Sequence, residues 1–221
     1  MTPEARTFLA QYDAYVAACT QANRQRFRQF FPTVGCVIMA SGLGKRFGSN
    51  KLMADFDGNP MFLQAVQASE GLREHRVVVT RHKDVAALCQ ALGIQVIFHD
   101  LPHRSDTVRL GLEALGDVDG CLFLPADQPL LRRETVEKLV QCWSMNRESI
   151  LRPCCADVPG SPVLFPRWAF PELLSLPEGK GGSLVLQNHP DRILPCSIDD
   201  PFELIDADTP ETLKLLLKQR K

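Results

Sequence analysis

The residues best placed to do chemistry are glycines and cations in one stretch and isolated acids at the ends of two others. From Val37 to Lys51 the chain reads VIMASGLGKRFGSNK, an apolar run that breaks into Gly42, Gly44 and Gly48 with Lys45, Arg46 and Lys51 among them. Glycines let backbone N–H groups come close to an anion, and the cations add charge around it, so the stretch suits a triphosphate. Taken alone, it reads equally well as a tight turn with solvated basic residues. Asp127 directly follows the apolar run GCLFLPA and is flanked by Pro125 and Pro129, which stiffen the backbone and fix where the carboxylate points. Asp206 and Asp208, in ELIDADTPE, precede Thr209 and Pro210, which read as the cap and first turn of a last helix. For Asp206 helix capping is the favoured reading. Mg²⁺ is typically held by one or two carboxylates plus substrate phosphates, which gives Asp127 a partner in the glycine loop. A nucleophile could then attack the α-phosphorus in line, with pyrophosphate leaving, and catalysis would be mainly positioning and charge neutralisation. No general-base histidine is required.

Two other phosphate loops fail on register. A P-loop needs G-x-x-x-x-G-K-[ST], which these glycines never spell, and a dinucleotide fingerprint needs G-x-G-x-x-G, where this chain has G-x-G-x-x-x-G. After the glycines the chain reads KLMADFDGNP, which looks extended and turn-like rather than helical.

The elements that must position these residues alternate. Apolar runs predict strands at Gly35 to Ala40, Arg76 to Thr80, Ile94 to His99, Gly120 to Pro125, Ile150 to Cys154 and Arg192 to Ile198. Helical patterns fall at about Pro60 to Ser69, Asp84 to Leu92, Asp106 to Leu115, Arg133 to Met145, Arg167 to Leu174 and Thr209 to Lys218. Such βαβ alternation predicts an α/β fold of three αβα layers with a mostly parallel sheet, whose ligands bind beyond the carboxyl ends of the strands. Residues 3 to 30 read as a separate amphipathic helix. The expected division is an N-terminal helical extension over 1–32 and a main domain over 33–221. Arg24, Arg26 and Arg28 make that helix basic, but packing on the domain or a dimer face is favoured over a membrane contact.

Composition excludes several classes. Over 221 residues, 25 Lys plus Arg against 26 Asp plus Glu leave a formal charge of -1, so no global field draws the chain to nucleic acid or to an anionic membrane. The eight cysteines show no CxxC and no Cys/His zinc spacing, and most sit in apolar runs as reduced core residues. No run of about 18 apolar residues could span a bilayer, and the expected setting is soluble, reducing and cytoplasmic.

These motifs resemble the nucleotidyltransferases of the MobA-like superfamily. MASGLGKRFGSNK is similar to their signature L-A-[AG]-G-x-[SG]-x-R-[FM]-G-x-x-K, and PADQPL to their acidic metal motif. SDTVRLGL, GSPVLF and DADTPE resemble further segments of the molybdenum cofactor cytidylyltransferases. The resemblance implies a Rossmann-like domain that transfers CMP from CTP to a molybdopterin-type cofactor, with Mg²⁺ as cofactor and a molybdenum hydroxylase apoenzyme as a further partner. It implies that Ala40, Ser41, Gly42, Leu43, Gly44, Arg46 and Lys51 hold the triphosphate, with Arg46, Lys51 and Asp127 catalytic. Asp127 and Asp208 would bind the metal. Ser105 and Thr107 would lie near the base, with Asp106 between them. Gly160, Pro162, Gly181 and Gly182 would shape the acceptor side, GKGGS (Gly179 to Ser183) standing where a pterin phosphate loop is expected. The chain departs from the pattern at Ser41, where Ala or Gly is usual, and at Gly44, where Ser is common. Rival readings are a related transferase using another nucleotide and a sugar or alcohol phosphate, and a non-catalytic cofactor carrier.

Overall fold

The computed structural model describes Thr20 and residues 32–44 and 46–220. The helix predicted over 3–30 and the side chain of Lys45 therefore lie outside the described residues. Val34–Lys221 forms one compact unit.

Its centre is an eight-stranded sheet. β1 (Val34–Ala40) pairs in parallel with β4 (Arg76–Thr80) on one side and with β6 (Gly120–Pro125) on the other, and β5 (Val96–Phe98) adds to β4. Beyond β6 come β9 (Val163–Pro166), β7 (Ile150–Cys155) and β10 (Ile193–Ser197), with the two-residue β8 (Val158–Pro159) on β7. β9 runs antiparallel to both neighbours, so the sheet is mixed although mostly parallel. The sequence reading misses β9 because VLFP is only four residues long and ends in proline. It also places the start of β5 two residues early.

Period-2 alternation along β1 supplies both layers. Cys36, Ile38 and Ala40 face a core made with α1 (Phe62–Ala68), α2 (Lys83–Ala91), α4 (Arg133–Met145) and α7 (Pro210–Gln219). Val37 faces the opposite core, made with α3 (Arg104–Leu115), α5 (Phe170–Leu174) and α6 (Ser183–Asn188). Gly111 lets α3 lie flat on β1, for a Cβ there would meet Val37 Cγ1 at 2.4 Å. α1 starts later than predicted because Asn59–Pro60 (β3) pairs with Asp55–Phe56 (β2) in a small hairpin. Asp57 and Gly58 turn it with φ of 58° and 80°, the left-handed pair that a tight hairpin needs. The predicted helix over 167–174 divides into a 3₁₀ turn at Arg167–Ala169 and the shorter α5.

Candidate functional site

The chain leaves β1 toward β4 on one side, and β6 lies on the other, so the strand order reverses at β1. Open α/β sheets bind ligands in the crevice at such a reversal. Here a cleft of about 480 Å³ lies at that point, lined by Ser41, Gly42, Leu43, Gly44, Arg46 and Lys51 from the glycine loop and by Asp127, Asp206 and Asp208 across it.

The loop is shaped locally and anchored from behind. Gly44 and Gly48 take φ of 55° and 77°, and Phe47 N–H donates to Gly44 O at 2.8 Å, closing a turn. Asn50 accepts from Leu52 N–H and donates to both carboxylate oxygens of Asp84 at 2.8 and 2.9 Å, fixing where Lys51 emerges. His82 Nε2 donates to Gly42 O at 2.8 Å. Ser41 Oγ donates to Val79 O at 3.1 Å and so accepts from His99 Nε2 at 2.9 Å. That arrangement leaves His99 Nδ1 as a buried acceptor with no hydrogen-bond partner among the described residues. Burial, then the nearby Arg81, lower the His99 pKa, in keeping with a neutral ring.

Across the cleft two of the three acids, Asp127 and Asp208, converge on the cations. The buried Lys51 Nζ lies 2.5 Å from Asp127 Oδ2 and 2.8 Å from Asp208 Oδ1, while Arg46 Nη2 lies 2.5 Å from Asp208 Oδ2. Burial alone would lower the Lys51 pKa, but the two carboxylates outweigh it and raise the pKa above its ordinary value. Asp208 is held below its ordinary value, mainly by the hydrogen bond from Lys51. Asp206 opens into the cleft and accepts from Gln128 Nε2 at 3.0 Å. The cleft walls strip it of water and the Asp127 carboxylate lies near, and both raise its pKa. Asp206 is not the helix cap the sequence suggests. Thr209 Oγ1 caps α7, accepting from Thr212 N–H at 3.1 Å.

Asp127 and Asp208 offer hard carboxylate oxygens to one shared cation, the Lys51 ammonium, so they are near enough to act together. This donor set fits Mg²⁺, which takes one or two carboxylates and completes its shell with water and phosphate oxygens. Among the described residues no group of three or more His, Cys, Asp or Glu side chains is arranged to hold a metal.

Other expected site residues are placed unevenly. Thr107 lines the cleft, but Ser105 is buried away from its lining, and Asp106 turns back to accept from His103 N–H at 3.0 Å at the start of α3. Ala40 is fully buried and its carbonyl accepts from Thr80. Ser161 rather than Pro162 lines the cleft. Gly160 faces Leu204, where a Cβ would come within 2.6 Å, so it serves packing. Gly182 lines a second cavity, and Gly181 lies against the Arg104 side chain. Sequence reasoning missed Arg81, His103 and Arg104 in the cleft wall, because they follow β4 or open α3 outside any glycine-rich or strand-end acidic motif.

The MobA-like NTP transferase domain model matches residues 36–193. The chain belongs to that family. A 3-deoxy-manno-octulosonate cytidylyltransferase of Neisseria meningitidis serogroup C / serotype 2a is 32% identical over 106 residues, 43% of this chain and 40% of that protein. A probable molybdenum cofactor guanylyltransferase of Geobacillus sp. WCH70 is 28% identical over 118 residues, 52% of this chain and 60% of that protein. The chain thus spans about half the length of the curated relatives it matches. A nucleotidyl transferase from Methanothermobacter thermautotroptrophicus has the same Rossmann-like fold, with a TM-score of 0.71 at 19% identity over 85% of this chain and 97% of that one. Among the described residues of this family member no helix is long and apolar enough to cross a membrane.

Proposed function

We propose that the protein is a nucleotidyltransferase that moves CMP from CTP to the phosphate of a molybdopterin-type cofactor and releases pyrophosphate. The observation that carries the transferase reading is the ion-paired set Lys51, Asp127, Asp208 and Arg46 facing a glycine loop at the reversal of strand order. The backbone N–H groups of residues 42–44 would bind phosphate oxygens, and Arg46 and Lys51 would meet the charge that grows on the α- and β-phosphates. Asp127 and Asp208 would hold Mg²⁺, which when bound supplies charge neutralisation to the triphosphate. An acceptor oxygen forms the new bond to the α-phosphorus, and the bridge to the β-phosphate breaks, its electron pair leaving with pyrophosphate.

Cytidine is favoured by the cytidylyltransferase-like motifs and by the relative named a cytidylyltransferase. A second reading, GTP in place of CTP, is favoured by the relative named a guanylyltransferase. Pyrophosphate release with Mg²⁺, molybdopterin and each of CTP, GTP, ATP and UTP tests both readings. CTP should give at least tenfold more product than the others. GTP dominance would replace the first reading with the second, and no release with any triphosphate would refute the activity.

A further inference from the structure

β10 is the outermost strand of the sheet, separated from β1 and its glycine loop by β7, β9 and β6, and two thiols meet on its α4 side. Cys196, on this strand, is 4% exposed, and its S–H donates to Cys142 Sγ on α4 at 3.8 Å. Among the described residues this is the one hydrogen bond between two sulfur atoms. One turn earlier on the same face of α4, Lys138 Nζ donates to Ser197 O at 2.7 Å. Successive turns of the helix thus hold adjacent residues of the strand, which fixes how α4 lies on β10. Neither Cys142 nor Cys196 lines the nucleotide cleft.

The other described thiols are placed differently. Burial pushes the Cys36 thiol up to about 12 and the Cys89 thiol up to about 11, and raises Cys121 as well. Cys154 and Cys155 are consecutive on β7 and project to opposite faces of the sheet. Within the pair, burial and then the hydrogen bond to Cys142 push Cys196 up to about 11, so it keeps its proton at neutral pH. Cys142 is only half-buried, which gives a small solute access to it. A reachable thiol beside a second one that can resolve it is what reversible thiol oxidation needs. We infer that Cys142 and Cys196 form a reversible oxidation site whose substrate is a small hydroperoxide. The Cys142 thiolate bonds one peroxide oxygen, the O–O bond breaks, and the departing hydroxide takes up the proton that Cys142 lost and leaves as water. Cys142 is then a sulfenic acid. The Cys196 sulfur attacks the Cys142 sulfur, the S–O bond breaks, and the oxygen leaves as a second water with the Cys196 proton. Both sulfurs are oxidised and both peroxide oxygens reduced. The sulfurs close by about 1.8 Å to reach bonding distance, a movement that rotation about the two Cα–Cβ bonds supplies. A thiol reductant reverses the link by exchange. The link joins positions 54 apart and fastens the outermost strand to the helix layer.

The test treats the full chain at neutral pH with a stoichiometric amount of hydrogen peroxide, followed by proteolysis and mass spectrometry without reduction. The expected product is lighter by two hydrogen atoms and yields one linked pair of peptides, carrying Cys142 and Cys196, which dithiothreitol separates. Because the link constrains the unfolded chain, the thermal midpoint should rise by about 5 °C on oxidation and return on reduction. Cys154→Ser should form the same link as the native chain. Cys142→Ser, with the circular dichroism of the native protein, should leave Cys196 as a free thiol and show no rise. In urea the preference for this pair should vanish, since only the fold brings the two sulfurs together. A native link that joins any other pair, a Cys142 that stops at the sulfenic or sulfinic acid, or a link that forms equally well in urea would overturn the assignment.

Discussion

The backbone N–H of Ala207 donates to the carbonyl of Asp127 at 2.8 Å, tying together two loops that are 80 positions apart. Because of that bond, Asp127 at the end of β6 and Asp208 before α7 meet the same Lys51 ammonium. If these carboxylates serve catalysis, Asp127→Asn should lower kcat by about 10²–10³ while nucleotide affinity falls far less. Steady-state kinetics beside a CTP titration checks this, and native turnover in the variant would refute the assignment. Lys51→Met leaves two acids facing each other with no cation. It should cost about 1–3 kcal/mol in urea unfolding, and millimolar Mg²⁺ should restore part of that loss if the pair accepts the metal.

The same cluster sets a pH dependence. Lys51 titrates above its ordinary 10.5, so its contribution is complete below that pH and is lost as pH rises through the raised folded value. Asp208 titrates below its ordinary 3.8, so its contribution is present above that pH and is lost on acidification through the lowered value. Asp206 has the opposite sign. Its folded pKa lies above 3.8, so its ionised form opposes folding at neutral pH, and that penalty fades as pH falls through the folded value. Asp206→Asn should therefore raise the thermal midpoint at pH 7 by on the order of 1 °C, with no gain near pH 3. A gain that persists at pH 3 would show that charge is not the cause.

Much of this site was legible in the sequence because its parts carry strong local signals. The glycine register of 42, 44 and 48, the acid after an apolar run and the T-P helix start each constrain the backbone within a few residues. The strands of the parallel core were legible for a related reason: runs such as VGCVIMA are buried on both faces and read as continuous apolar stretches. What was hidden depends on distant pairing. Nothing near Arg104 or Arg152 reveals that one cavity joins them, and Asp206 reads as a cap until Gln128 is seen to hold it. β9 was hidden because its strand character comes from its neighbours β6 and β7, not from its own length.

Ser41 departs from the family pattern, and its hydroxyl is already engaged within the protein. Its Oγ is used by Val79 O and His99 Nε2. Ser41→Ala would leave the His99 ring, whose Nδ1 is already without a partner among the described residues, with no hydrogen bond to any of them. The expected result is a loss of about 1 kcal/mol in stability with nucleotide affinity changed less than threefold. A tenfold loss of CTP affinity at native stability would show that the hydroxyl contacts phosphate instead.

Glu203 anchors the Pro201–Leu204 turn that leads into the Asp206–Asp208 segment. It is 1% exposed and receives three hydrogen bonds from Arg132: backbone N at 3.0 Å, Nε at 3.0 Å and Nη2 at 2.6 Å. Arg132 precedes α4, so the carboxylate also satisfies one of the free N–H groups at that helix's start. Glu203→Ala removes both acceptor oxygens, and with them all three hydrogen bonds, and leaves the Arg132 N–H without its partner. Stability should fall by about 2–3 kcal/mol. The guanidinium is half-exposed and regains water, which keeps the loss below that of a fully buried pair. Because the freed segment carries Asp208, kcat should drop by about tenfold while KM for the triphosphate, set mainly by the glycine loop, changes little. Glu203→Gln keeps an acceptor oxygen for Arg132 N–H and should recover more than half of the lost turnover. Equal losses of kcat in the Ala and Gln variants would show that charge, rather than the position of Asp208, is what Glu203 supplies.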